Sequence, residues 1–350
     1  AAMAEATMST GSQGSGALPE ELVADDFPKV LICGPKRGGK TSILKVVFQK
    51  MSPHETLFLD KTTKVEVTPV NRNALVRFKV LDFPGSTVFD DSSDATLFSK
   101  AGVVVFVIDG QEEAYTEALA QAKKTIEHAH KINPKISFDI LIHKVDGDQF
   151  FSDDNKTEIQ RKLHSKLTEE LHDKVDAQIT FYCTSIYDHT IFEAFSKVVQ
   201  KLIPQLPVLE QCMDHLITNS RMEKAYLFDV MSKVYIASDP QPVDLQSYEL
   251  CSDMIDVVID VSCIYGLAED GNPMAGSIAY SDAKSSCIIH LNNGTLLYLR
   301  EVDRCLALVC ILREENFDRQ HLLDYNIKVF KEALADIFKV SQRQALSAGS

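Results

Sequence analysis

The sequence is short of positive charge. Lysine and arginine together number 36 against 50 aspartates and glutamates, which gives a net charge of −14 at pH 7. A general nucleic-acid binder carries a basic stripe that neutralises phosphates, so this balance argues against such a function. It also argues against unaided adsorption to an anionic membrane leaflet.

Long apolar runs and targeting signals are missing as well. No stretch reaches the roughly 18–20 apolar residues that a membrane span requires. Residues 1–27 lack the basic and apolar segments of a secretory signal, and neither end carries a lipidation motif. We expect residues 1–27 to be a disordered tail. We also expect a cytoplasmic protein that reaches membranes only through partners.

Metal-ligand spacing is absent from the cysteines and histidines. The eight cysteines form no C-x-x-C pair, and most lie in apolar runs such as VLICG and LALVCIL. We interpret them as reduced, buried thiols rather than as a zinc site or a disulfide framework.

From residue 29 to about residue 200, apolar strands alternate with helices. The runs KVLIC, VVVFVID, FDILIH and QITFYC each precede a segment with apolar residues at helical spacing. Strands that are apolar on both faces and alternate with helices predict a mostly parallel sheet covered on both sides. The fold class of this part is therefore α/β.

The motif PQLP at 204–207 predicts a domain boundary. Beyond it, KAYLFDVMSKVYIAS and SSCIIHLNNGTLLYLREV have the pattern of hairpins, the second turning on Asn293-Gly294, which suits a type I′ turn. Helices are predicted around these hairpins, including one at 244–265. We expect a separate α+β domain over 205–340 and a disordered tail over 341–350.

A phosphate-binding loop is predicted at 34–41. GPKRGGKT matches G-x-x-x-x-G-K-[ST], and it lies between an apolar strand and an amphipathic helix. Backbone amides of such a loop surround phosphate oxygens, while Lys40 reaches the β- and γ-phosphates and the Thr41 hydroxyl binds magnesium. Lys36 and Arg37 either face solvent or contact phosphate. The predicted phosphate-binding residues are Gly34, Pro35, Lys36, Arg37, Gly38, Gly39, Lys40, Thr41, Ser42 and Gly85.

Gly85 belongs to a second motif, Asp82-Phe83-Pro84-Gly85, at the end of a predicted strand. Asp82 can hold magnesium through water, and the Gly85 amide can donate to a γ-phosphate. An ordinary turn remains the alternative. Between the two motifs, TLFLDKTTKV at 56–65 is the predicted switch segment. In it, Thr62 is the favoured threonine for magnesium and γ-phosphate, with Thr63 as the alternative.

A base-reading loop is predicted where His143-Lys144-Val145-Asp146 follows an apolar strand. A carboxylate at Asp146 accepts hydrogen bonds from N1–H and the exocyclic amine of guanine, whereas adenine presents an acceptor there. The usual signature begins with asparagine rather than histidine, and a plain turn role for Asp146 remains open. The predicted guanine-binding residues are His143, Lys144, Asp146, Ser185 and Ile186.

Taken together, the phosphate loop, LDFPG, IHKVD and FYCTSIYDHTIFEAFSKVVQKLIPQLP resemble the Rag family of small GTPases, in its RagC/RagD (fungal Gtr-two) branch. The resemblance runs from about residue 29 to residue 340, and histidine leads the base loop in that branch too. It implies a Ras-like P-loop NTPase domain over 28–204, followed by a roadblock/longin-like domain. That second domain is expected to pair with a RagA/RagB-type (Gtr-one-like) GTPase in an obligate heterodimer.

The resemblance also implies an activity and a setting. The chain is expected to bind GTP or GDP with magnesium, to hydrolyse GTP, and to relay amino-acid sufficiency to the target-of-rapamycin kinase complex. A Ragulator-type scaffold would recruit the dimer from the cytoplasm to the lysosomal or vacuolar membrane surface, with the nucleus as an open alternative. A folliculin-type complex would promote hydrolysis, and the GDP-bound form would be the signalling one.

Ser86 departs from the family, whose members usually carry glutamine directly after D-F-P-G. That glutamine orients the attacking water, and serine is too short to span from the backbone to both water and phosphate. With Ser86 and Lys40 as the catalytic candidates, we predict intact binding but slow intrinsic hydrolysis. The alternatives are a nucleotide-dependent scaffold with negligible hydrolysis and an adenine-nucleotide kinase or ATPase, against which Asp146 argues.

One further pattern is acidic. Glu249, Asp253, Asp256 and Asp260 share one face of the helix predicted over 244–265. This face is interpreted either as a solvated surface or as a docking strip for a basic partner surface.

Overall fold

A computed structural model of the protein describes residues 27–71, 75–89, 95–112, 115–150, 152–171, 177–265, 286–303 and 305–348. The predicted N-terminal tail lies outside these ranges up to residue 26. The strands are β1 (Lys29–Cys33), β2 (Glu66–Asn71), β3 (Arg77–Asp82), β4 (Ala101–Asp109), β5 (Ser137–His143), β6 (Ile179–Thr184), β7 (Lys224–Asp229), β8 (Tyr235–Ser238), β9 (Ser286–His290), β10 (Thr295–Asp303) and β11 (Leu306–Arg313). The α-helices are α1 (Lys40–Gln49), α2 (Ala95–Ser99), α3 (Thr116–Ile132), α4 (Asp153–Leu171), α5 (Thr190–Gln200), α6 (Leu206–Ser220), α7 (Leu245–Tyr265) and α8 (Gln320–Ala348).

The first sheet is mostly parallel, which confirms the predicted α/β class. Its six strands follow the order β2-β3-β1-β4-β5-β6, and β2 is antiparallel to β3 while every other neighbouring pair is parallel. All five residues of β1 are buried, as expected for a central strand that helices cover on both faces.

The two faces of this sheet bury two apolar layers. On one side, α1 and α5 contribute side chains such as Phe48 and Phe195, whose rings meet edge to face with centroids 5.5 Å apart. On the other side, α2, α3 and α4 pack through residues such as Ile126 and Leu167. Fully burying one such side chain stabilises the fold by about 1.5–3 kcal/mol, so these layers hold the strand ends, and the loops that follow them, in place.

The second sheet is antiparallel and has the order β8-β7-β11-β10-β9. Helices α6 and α8 cover one face, with Met213 and Phe330 in the shared core, while α7 covers the other face through Tyr248 and Met254. This is the α+β, roadblock/longin-like arrangement that was expected.

The helix α5 is shared by the two domains. Its Phe195 and Val198 belong to the same apolar cluster as Ile236 of β8, and the Ser196 hydroxyl accepts a hydrogen bond of 3.0 Å from the Tyr235 amide. The predicted boundary at 204–205 falls between α5 and α6. The second domain therefore packs directly on the helix that begins after the last loop of the first sheet.

Two local expectations were wrong. The hairpin between β9 and β10 is not a type I′ turn, because only Gly294 has a positive φ, of 76°, whereas that turn requires positive φ at Asn293 too. Instead, the Gly294 amide donates to the Leu291 carbonyl, and the Asn293 side chain accepts from the Thr295 amide at 3.0 Å. The hydrogen bond between the Asn293 side chain and the Thr295 amide stabilises this turn.

The predicted disordered tail at 341–350 is also wrong up to residue 348, since α8 continues to Ala348. Its last residues include Gln, Arg, Ala and Leu, which are good helix formers and favour continuation of the helix. Within the described residues, no helix has the length and apolar character to cross a membrane. The seven cysteines whose side chains are described are free thiols, of which Cys33, Cys251 and Cys310 are buried.

Candidate nucleotide-binding site

The main cleft lies at the carboxyl ends of the parallel strands, where ligands bind in open α/β sheets. Its volume is about 860 Å³, within the range of nucleotide-sized sites. Its lining brings together the predicted phosphate, switch and base loops: Lys36, Arg37, Gly39, Lys40, Thr41, Ser42, Thr56, Leu57, Leu59, Asp60, Lys61, Thr62, Gly85, Gln111, His143, Lys144, Asp146, Ile186 and Tyr187.

The phosphate loop curls around Lys40. The side chain is only 6% exposed, and its Nζ donates to the carbonyls of Gly34 (3.0 Å) and Pro35 (2.8 Å). Burial lowers the pKa of Lys40, while the nearby Asp82 carboxylate acts in the opposite direction. Because α1 starts without a side-chain cap or an acidic residue in its first turn, its N-terminal amides and dipole favour an anion in this cleft.

Two glycines permit the close backbone contacts of the loop. Gly34 has a φ of 131°, and a Cβ there would lie 2.3 Å from the Val107 carbonyl oxygen. A Cβ on Gly85 would lie 2.4 Å from the Lys36 amide nitrogen. Gly85 therefore rests against the phosphate loop itself, and only glycine fits at either position.

Three oxygen-bearing side chains meet beside the loop, and all three are predicted magnesium ligands. The Thr41 hydroxyl donates to Asp82 Oδ2 at 2.5 Å, and the hydroxyls of Thr41 and Thr62 are 2.7 Å apart. Thr63, the alternative to Thr62, is exposed. The switch segment thus meets the phosphate loop through Thr62.

The donor set fits a magnesium ion. Asp82 is 1% exposed, and its Oδ1 has no hydrogen-bond partner among the described residues. Burial raises the pKa of this carboxyl, while the Thr41 hydrogen bond and Lys40 oppose that shift. A buried carboxylate oxygen without a partner, next to two hydroxyls, offers the hard oxygen ligands that Mg²⁺ prefers.

The base-reading loop is held by the loop that follows β6. The Ser185 hydroxyl accepts from the Tyr187 amide at 3.1 Å and donates to Asp146 Oδ1 at 2.7 Å. Asp146 itself is exposed at the cleft. Its second carboxylate oxygen is therefore left to face a base. Lys144, in turn, donates to the Arg37 carbonyl at 2.8 Å and pairs with the Asp109 carboxylate, which fastens the base loop to the phosphate loop.

His143 holds the neighbouring loops together. It is 1% exposed, its Nδ1 is 3.0 Å from the Thr184 hydroxyl, and a Cβ on Gly39 would lie 2.7 Å from its Cδ2. Burial lowers the pKa of His143 to about 4, and the neighbouring Lys144 adds to this effect. The ring is therefore neutral at physiological pH, and it fills the space between the phosphate loop and the last loop of the site.

Ser86 lies next to the site but outside its lining. It is exposed, and it occupies a turn in which the Thr87 amide donates to the Pro84 carbonyl at 2.9 Å. Gly85 lines the cleft, whereas Ser86 does not.

Several residues of the site were not predicted from the sequence. Tyr187 lines the cleft, and its ring centroid lies 5.7 Å from that of His54, two residues before the switch segment. Gln111 donates its side-chain amide to the Lys144 carbonyl, and Asp109 pairs with Lys144. The signal for Gln111 and Asp109 was their position at or just beyond the carboxyl end of the apolar strand β4, where a parallel sheet presents site residues.

A P-loop, a carboxylate beside two hydroxyls, and an acidic base-reading loop on a mostly parallel sheet define a nucleotide-binding protein of the G-protein class. Comparison with known proteins agrees, since residues 29–255 match the family described as "Gtr1/RagA G protein conserved region". The chain belongs to this family of Rag/Gtr GTPases, in the RagC/RagD branch.

The individual relatives cover most of the chain. It is 53% identical to "Ras-related GTP-binding protein C" of Homo sapiens, over 92% of this chain and 79% of that protein. It is 52% identical to "Ras-related GTP-binding protein D" of Mus musculus, over 91% and 70%. With "GTP-binding protein GTR2" of Saccharomyces cerevisiae the identity is 42%, over 90% and 94%.

Proposed function

We propose that this chain is a guanine-nucleotide switch, with GTP or GDP bound in the cleft between the phosphate loop and the base loop. The observation that carries the proposal is the Ser185–Asp146 hydrogen bond, which orients a carboxylate at the base end of a cleft whose other end is the phosphate loop. A carboxylate in that position accepts the two donors that guanine presents and repels adenine. The adenine-nucleotide alternative is therefore disfavoured.

Magnesium is the proposed cofactor, held by Thr41 and Thr62, with Asp82 acting through water. When bound, it neutralises charge on the phosphates. Lys40 supplies further positive charge to the β- and γ-phosphates, and the Gly85 amide detects whether a γ-phosphate is present. Loss of that γ-phosphate would free Thr62 and Gly85, and with them the segments that carry them.

Hydrolysis is proposed to be slow without an activating protein. Ser86 is exposed and its hydroxyl is short, so the chain offers no side chain at this position that orients water as glutamine does. A folliculin-type complex would supply the groups that orient the attacking water. If hydrolysis is negligible even then, the chain acts as a nucleotide-dependent scaffold.

The switch is proposed to work in a heterodimer with a RagA/RagB-type GTPase. Its second domain has surface for a partner: among the described strands β9 lies at the edge of the sheet with Ile288 exposed, and α7 exposes Val257 and Val261. Such a dimer would relay amino-acid sufficiency to the target-of-rapamycin complex, recruited from the cytoplasm to the lysosomal or vacuolar surface by a Ragulator-type scaffold. No nucleic-acid partner is proposed.

Analysis of the nucleotide that co-purifies with the protein, followed over time, tests this function. Retained GDP, or GTP that decays slowly to GDP, is the expected result. Retained ATP would overturn the guanine assignment, and retained GTP that does not decay, even with an activating protein, would favour the scaffold.

A further inference from the structure

The loop after β6 connects the nucleotide site with the second domain. At one end, Ser185 binds Asp146, and Tyr187 contacts His54 near the switch segment. At its other end is His189, whose carbonyl accepts from the Glu193 amide at the start of α5. The loop is five residues long, so a restraint on His189 acts on the whole loop.

His189 lies between two carboxylates of the second domain. Its Nδ1 is 3.5 Å from Glu249 Oε1, and its Nε2 is 3.6 Å from Asp253 Oδ1, both on α7. Its ring also contacts the buried Tyr248 edge to face, with centroids 6.0 Å apart and planes at 83°. Two carboxylates of the acidic face of α7 thus meet the loop after β6, in this chain's own first domain.

The same helix is fixed to the second sheet close by. The Tyr248 hydroxyl donates to the Lys233 carbonyl at 2.9 Å, and the Lys233 side chain pairs with Asp256. A cavity of about 350 Å³ lies beside this contact, lined by α1, the loop at 186–189 and the turn at 231–233. His189 itself lines this cavity, so its two carboxylate contacts lie at the cavity wall.

We propose that His189 is a positioning residue through which α7 of the second domain holds the base-reading loop closed and slows release of guanine nucleotide. The inference rests on the proposed guanine-nucleotide binding. For the base to dissociate, its hydrogen bonds to Asp146 must break. Ser185 holds the Asp146 carboxylate in place as long as the loop after β6 does not move. The contacts of His189 with Glu249 and Asp253 of the second domain oppose movement of the loop after β6.

The test compares rates of release of a fluorescent GDP from the full chain in the presence of magnesium. Replacing both carboxylates (Glu249→Ala with Asp253→Ala) removes the contact, and alanine preserves the helix. The two carboxylates are partly exposed, so we expect release to accelerate roughly two- to tenfold, with the association rate unchanged. Asp260→Ala, an exposed acidic residue on the same helix, is the matched control and should behave like the unmodified chain.

Two further variants separate positioning from a general structural effect. His189→Ala should accelerate release as much as the double replacement, and combining all three changes should add nothing, because they break one contact. His189→Arg, which places a guanidinium between the two carboxylates, should restore slow release.

Release from the double variant at the rate of the unmodified chain, or equal acceleration by Asp260→Ala, would overturn the inference. The content of bound nucleotide is measured first on every variant. If the unmodified chain binds no guanine nucleotide, the proposed function itself is refuted. If the variants bind nucleotide normally and release it at an unchanged rate, only the role of His189 is refuted.

Discussion

Replacing Asp146 by asparagine should remove guanine recognition for a reason that the structure makes specific. The Ser185 hydroxyl already accepts from the Tyr187 amide, so its proton is donated towards position 146. An asparagine there would place its carbonyl oxygen towards Ser185. Its amide group would then face the base, where guanine presents two donors.

The magnitude follows from the two hydrogen bonds lost. Hydrogen bonds to a charged group contribute about 1.5–3 kcal/mol each, and the exposure of Asp146 favours the lower end. A total of about 3 kcal/mol corresponds to a Kd for GDP that is weaker by roughly two orders of magnitude. Xanthine carries a carbonyl in place of the exocyclic amine, so xanthosine diphosphate should bind the variant better than GDP does.

Titration of a fluorescent GDP, and its displacement by xanthosine diphosphate, measures both effects. Asp148→Asn, at an exposed position two residues further along the chain, is the matched control and should leave GDP affinity unchanged. If Asp146→Asn binds GDP within about fivefold of the unmodified chain, the assignment of the base-reading carboxylate is refuted.

Three other predictions follow from the site. Ser86→Gln should raise the single-turnover rate of GTP hydrolysis about tenfold or more, because the side chain can then orient water; a rate no faster than that of the starting chain would contradict the role given to position 86. Chelation of magnesium should accelerate GDP release, and Asp82→Asn should reduce this sensitivity, since Asp82 loses the charge that attracts the ion; a full response to chelator in Asp82→Asn would contradict the ligand set. The third concerns pH: the pKa of His143 is lowered from 6.5 to about 4 in the folded chain. The unfolded chain therefore binds a proton first, and stability is lost as the pH falls below about 6.5. The His143 contribution should be about 2 kcal/mol smaller at pH 5 than at pH 8; urea unfolding of His143→Asn should lack this increment, and equal pH dependence in both proteins would refute the burial argument.

The fold and the phosphate loop were predictable from the sequence because their signals are local. A parallel strand buried on both faces must be apolar along its whole length, as β1 is, and a phosphate loop needs its glycines and lysine at fixed spacing. The same holds for the hairpins of the second domain. The turn type between β9 and β10 was harder to predict. The Asn-Gly dipeptide favours a type I′ turn, but the Asn293 side chain accepts from the Thr295 amide and a different turn forms.

What the sequence could not supply are contacts between distant segments. Whether His143 faces a base or joins Thr184 and Gly39 depends on three loops that meet only after folding. The helical spacing of the acidic residues on α7 places Glu249 and Asp253 on one face. It contains no information that His189 of the other domain lies against that face.

Competition between guanine and adenine nucleotides for the magnesium-loaded cleft tests the central claim most directly. With a fluorescent GDP bound to the purified chain, unlabelled GDP and GTP should displace it at concentrations at least a hundredfold lower than ADP and ATP. Displacement by ADP at concentrations similar to GDP would contradict the account, because the Ser185-oriented Asp146 carboxylate would then not be reading the base.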